Sequence, residues 1–126
     1  MKRTSGISLF VFSTLLFVVM IFCFSPRVSY ANAPQEVKLE YNASTQNLAV
    51  TITHNSSSSG FHYINLIEIK KNSVVLSTEK YDSQSAGTFT YNYKVPATAG
   101  DNLEVTATCN LFGSKTAAIT VSSATK

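Results

Sequence analysis

His54, His62 and Cys109 are the residues of this chain best suited to hold a transition metal or to react. Imidazole nitrogen and thiolate sulfur are the donors that zinc, iron and copper prefer. No short motif joins the three, so only a fold could bring them together. His54 continues the face of Leu48, Val50 and Ile52, which alternate with Ala49, Thr51 and Thr53. Cys109 continues the face of Leu103, Val105 and Ala107 in the same way. His62 stands across a serine-rich loop, Asn55 to Gly60, from His54. Each has an ordinary structural use as well: a histidine can bond a carbonyl, and a free cysteine often serves as a small buried hydrophobe. Other chemistries find no support. There is no Gly-rich phosphate loop, CxxC, HExxH or GxSxG, and the carboxylates are scattered without a calcium-like cluster. Asp101 follows Gly100 as a turn residue.

The elements that must position these residues read as strands. Val37 to Tyr41, Leu48 to His54 and Phe89 to Val95 alternate apolar with polar residues, and Leu103 to Cys109 does the same. His62 to Lys70 is a longer and more apolar strand, Val74 to Tyr81 a short polar-edged one, and Thr116 to Val121 the last. Turn residues separate them at Asn42 to Thr45, Lys71 to Ser73, Pro96 to Gly100 and Phe112 to Ser114. Seven short strands with this spacing predict an all-β, immunoglobulin-like antiparallel sandwich. In that topology the loop between strands two and three lies at the same end as the loop between six and seven. His54, His62 and Cys109 are therefore expected to converge at one end.

The N-terminus predicts export. Lys2 and Arg3 precede an uncharged apolar run from Ile7 to Phe24, and small residues at Ser29, Ala31 and Ala33 supply cleavage sites. Residues 1–31 are read as a secretory signal, an uncleaved membrane anchor being the alternative for an apolar run of about 18 residues, and 32–126 as a single domain, periplasmic or extracellular, with no membrane segment once the signal is removed. The chain carries a net charge of +3, and Lys2, Arg3 and Arg27 account for all of it. Residues 32–126 are thus balanced, and nothing argues for nucleic acid. Cys23 leaves with the signal, so Cys109 has no partner for an internal disulfide and is a candidate ligand or reactive thiol.

Two segments carry a family resemblance. His62-Tyr63-Ile64-Asn65-Leu66-Ile67-Glu68-Ile69 and Cys109-Asn110-Leu111-Phe112-Gly113 resemble the HYIEWIEL-like strand and CNLHG-like turn of the superoxide reductase (desulfoferrodoxin, neelaredoxin) iron domain. The resemblance implies an immunoglobulin-like sandwich with iron held by four histidines and one cysteine. It matches His62 to the histidine of the first motif, Cys109 to the axial thiolate, and His54 to the histidine closing the preceding strand. The chain departs from the pattern where Phe112 replaces the last histidine, and no histidine precedes His54. The loop Asn55 to Phe61 also lacks the family's Lys and Glu. The expectation is an exported iron-type redox domain with an incomplete ligand set, copper or zinc being open alternatives and superoxide reduction not assured. An electron or protein partner would complete it. The competing expectation is a non-catalytic interaction module that kept the fold, repacked the site with Phe112, and binds through an exposed edge or the strand Tyr91-Asn92-Tyr93.

Overall fold

The computed structural model describes residues 32–123. The expected signal segment, 1–31, lies outside the described residues. Seven strands follow in order: β1 (Glu36–Asn42), β2 (Asn47–Thr53), β3 (Ile64–Lys71), β4 (Val74–Lys80), β5 (Thr88–Lys94), β6 (Asn102–Cys109) and β7 (Ser114–Thr120). They form two antiparallel sheets, ordered β1-β2-β5 and β4-β3-β6-β7, and the described residues contain no helix. The expected seven-stranded antiparallel sandwich is what the chain adopts.

Period-two patterning decides which side chains face inward. Leu48, Val50 and Ile52 of β2 are fully buried, as are Leu103, Val105 and Ala107 of β6, and both rows enter one core cluster. Threonines line the opposite faces, where Thr51 bonds Thr90 across strands at 2.8 Å and Thr106 bonds Thr116 at 2.8 Å. Such cross-strand pairs hold register on a solvated face. The hairpin between β3 and β4 turns on Asn72 and Ser73, with φ of 50° and 69°. Two successive residues with positive φ match the twist of the flanking strands.

β3 differs from the expectation in a way that matters for the site. It begins at Ile64, which leaves His62 in the preceding turn rather than on the strand. Its register against β6 shifts between Ile64, opposite Cys109, and Leu66, opposite Thr108. The extra residue, Asn65, is a bulge that resets the alternation, so Ile64, Ile67 and Ile69 all point into the core. Strict alternation from Ile64 would have turned Leu66 and Glu68 inward instead.

The tyrosines expected on a binding strand also turn inward. Tyr91 and Tyr93 of β5 pair with Val50 and Leu48 of β2 and pack, half-buried, against the core. The Tyr91 ring stacks on Tyr81 at 4.3 Å, and the Tyr81 and Tyr93 hydroxyls bond at 2.7 Å. Burial, then that hydrogen bond, pushes the Tyr93 hydroxyl well above its ordinary pKa. These rings close the open side of the sandwich.

Candidate metal centre

At one end of the sandwich, β2 has just ended, β3 is about to begin, and β6 turns into β7. His54 lies one residue beyond β2, yet it keeps the inward parity of Leu48, Val50 and Ile52 and is 1% exposed. Its main-chain N–H donates to the Gly87 carbonyl at 2.7 Å, which extends the β2–β5 pairing far enough to hold it there. Cys109 ends β6 on the inner face, buried and free. His62 is held by its own N–H, which donates to Ser58 O at 2.8 Å across the serine-rich turn. One donor atom from each of His54, His62 and Cys109 falls within 4.8 Å of the others. The three residues expected to converge do so.

Gln84 organises His54. Its Nε2 donates to the main-chain oxygens of His54 at 2.8 Å and Ala86 at 3.0 Å. The amide nitrogen therefore faces two acceptors, and Oε1 must be the acceptor on the other side. Oε1 takes the Ile64 N–H at 3.3 Å and stands 2.7 Å from His54 Nδ1. Nδ1 consequently carries a hydrogen, and Nε2 is the nitrogen left to bind. Such an outer partner is the usual means of fixing a ligating histidine. Gln84 is 5% exposed and was not singled out from the sequence. Asp82 to Gly87 has no periodicity, and a lone amide between turn residues gives no signal.

Asn110 does the same for the thiol-bearing turn. Its Oδ1 accepts the Tyr63 N–H at 2.9 Å, its Nδ2 donates to Phe61 O at 2.9 Å, and its N–H donates to Tyr63 O at 3.0 Å. Three bonds thus clamp the His62 segment to the Cys109 segment. The Leu111 N–H points at Cys109 Sγ at 3.4 Å, and the Cys109 N–H donates to Gly113 O at 2.9 Å. The sulfur is oriented by its own turn.

His62 supplies the telling feature. Its ring meets the His54 ring edge-on, with centroids 4.6 Å apart and planes at 87°. Its Nε2 is buried and has no hydrogen-bond partner. A buried imidazole nitrogen left bare costs roughly 1–3 kcal/mol unless something else occupies its lone pair or hydrogen. Asn65 Oδ1, at the adjacent bulge, is also buried and unpartnered.

The expected repacking by Phe112 does not occur. The Phe112 ring is 81% exposed and stands outside the site, beside the half-exposed Leu111, and Phe61 is exposed to the same degree. Gly113, in the left-handed region at φ 97°, turns the chain sharply after Phe112 and leaves the ring in solvent. Phe112 therefore does not fill the site, and donor atoms of His54, His62 and Cys109 stay within 4.8 Å of one another.

A segment N-terminal to β1 crosses this end. Gln35 N–H donates to Thr53 O at 2.8 Å, Gln35 Oε1 accepts the Asn55 N–H at 2.9 Å, and Lys115 Nζ donates to Gln35 O. Ala33 lies so close to Gly113 that a Cβ there would meet Ala33 Cβ at 2.9 Å and its nitrogen at 3.0 Å. The carbonyl oxygen of Asn32 lies 3.0 Å from His54 Nε2.

No protein-family model matches the chain, and no curated protein matches it. Among solved structures it is similar to three forms of the superoxide reductase (neelaredoxin) from Ignicoccus hospitalis, two of them variants. Each is 19% identical. The first variant gives a TM-score of 0.47 over 71% of this chain and 80% of its own. The second gives 0.44 over 73% and 82%, and the third form 0.43 over 70% and 81%.

Proposed function

We propose that this chain is an exported transition-metal-binding domain whose ion is held by His54, His62 and Cys109. The observation that carries it is the convergence of donor atoms from two imidazoles and a thiol within 4.8 Å, and the buried His62 Nε2, which has no hydrogen-bond partner, supports it. Two nitrogens and a sulfur suit iron, copper and zinc. The motif resemblance at His62 to Ile69 and Cys109 to Gly113 favours iron. Iron, when bound, would supply one-electron redox chemistry, with the thiolate tuning its potential. The chain's own part is to present His54 through the Gln84 hydrogen bond, to aim Cys109 through the Leu111 N–H, and to keep both donors out of water. Residues 32–126 would act after removal of the leader, with an electron donor or acceptor as partner.

Metal titration of the protein and its variants tests this. Iron, copper or cobalt added to the wild type should produce a sulfur-to-metal absorption band at one equivalent. Cys109→Ser should abolish the band while the far-UV circular dichroism stays that of a β-sheet protein, and His54→Ala and His62→Ala should each weaken uptake. A Cys109→Ser protein that binds metal as the wild type does would remove the sulfur from the site.

A second use of the fold has one observation behind it. The edge strand β4 exposes Val74, Val75 and Leu76 in succession, as an interaction strand would. A partner bound there would be indifferent to Cys109→Ser.

A further inference from the structure

The main-chain carbonyl of Asn32 and His54 Nε2 face one another at 3.0 Å. Gln84 has already placed the imidazole hydrogen on Nδ1, so in the neutral ring Nε2 presents a lone pair. A carbonyl oxygen presents lone pairs too. Two acceptors aimed at each other inside a protein repel. Only a positive centre shared between them, a proton on the ring or a metal ion, makes it favourable.

From these contacts we infer that the Asn32 carbonyl oxygen is a fourth protein ligand of the metal centre, beside His54, His62 and Cys109. The inference rests on the metal-binding proposal above and deepens it. Two donors each about 2.1 Å from one ion stand roughly 3 Å apart at right angles and about 3.4 Å apart at the tetrahedral angle. The Asn32–His54 separation of 3.0 Å falls at the lower end of that span. The donors of His54, His62 and Cys109 spread to 4.8 Å, so closing on an ion asks the longer separations to shrink by roughly an ångström. The oxygen already stands at ligand spacing from His54 Nε2.

The carbonyl is held there by construction. Gln35 fixes the segment to Thr53, Asn55 and Lys115, the first two flanking His54 in the chain. Ala33 rests on the bare Cα of Gly113, whose carbonyl accepts the Cys109 N–H. One short segment is thereby tied to both the histidine and the cysteine sides of the site. Because the donor is main chain, the sequence pattern gives no sign of it, and a side-chain substitution at Asn32 leaves it in place.

Selective labelling reads the carbonyl directly. With carbonyl-13C asparagine and 15N alanine, the chain gives two one-bond correlations, Asn32–Ala33 and Asn42–Ala43. The second lies at the far end of β1 and serves as an internal control. Zinc, which is diamagnetic, is titrated while its content is measured in the same sample. One equivalent should move the Asn32 carbonyl downfield and leave Asn42 unmoved, with the Gln35 amide still protected from exchange. Zinc bound with the Asn32 carbonyl unmoved, or with Gln35 losing protection as the segment lifts away, overturns the fourth ligand and leaves the metal site standing. A protein that takes up no zinc overturns the inference, and if it also refuses iron and copper the metal-binding proposal falls with it.

Discussion

At the end of the sandwich where β3 turns into β4 and β5 leads into β6, Asn72 donates to Asp101 at 2.8 Å and accepts the Asn102 N–H at 2.9 Å. Asp101 in turn accepts the Thr98 N–H at 2.9 Å, and Tyr41 donates to Val95 O at 2.8 Å. At the opposite end, Gln84, His54, His62 and Asn65 are drawn inward. Gln84 and His54 are buried, while His62 Nε2 and Asn65 Oδ1 have no partner. Asn72 and Asp101 are satisfied turn residues near water, where a missing bond costs little. Buried polar groups at the His54 end have no such recourse. The contrast teaches where the fold has retained unused donor capacity, and that capacity coincides with a histidine–histidine–cysteine cluster.

The sharpest way to break the comparison is at Gln84. Replacing it with leucine removes four hydrogen bonds in a buried position and strands His54 Nδ1, the Ile64 N–H and two carbonyls. Gln84→Leu should cost on the order of 3 kcal/mol in a denaturant melt. It should also weaken metal binding by about 10–100-fold, since His54 loses the partner that orients it. A variant with wild-type stability and metal affinity would make Gln84 incidental.

Asp101→Asn tests the other end and should act more mildly. The Thr98 N–H, then the Asn72 amide, hold the Asp101 carboxyl below its ordinary value. A lowered folded value means that the carboxylate stabilises the fold above the unfolded value of about 3.9 and loses that contribution as pH falls through the folded one. The wild type should therefore be more stable than Asp101→Asn at neutral pH, and the gap should close as the solution is acidified below about pH 4. Metal uptake should be unchanged. A gap that widens on acidification would reverse the sign.

Much of this was legible in the sequence, for a simple reason. His54 and Cys109 extend strict alternations, Leu48-Val50-Ile52 and Leu103-Val105-Ala107, and period two carries a side chain's facing past the strand's last residue. The supporting groups were not legible. Gln84 and Asn32 reach His54 across irregular chain with no period, and the bulge at Asn65 breaks the alternation that placed His62 on a strand. Phe112 was misplaced because its type suggested burial, whereas Gly113 turns the chain and leaves the ring in water.

The smallest effect is expected at that ring. Phe112→Ala should change stability by no more than about 0.5 kcal/mol and leave metal uptake intact, because the side chain packs on neither the core nor the donors. A large loss of stability would mean that the ring fills the site after all.

The most direct test is the metal content of the untagged protein, purified anaerobically and measured by elemental mass spectrometry. The account predicts close to one equivalent of a transition metal, iron foremost, and an empty protein when Cys109 is changed to serine. A protein that is empty as isolated and refuses added iron, copper and zinc would contradict it, and His54, His62 and Cys109 would then be neighbours without an ion.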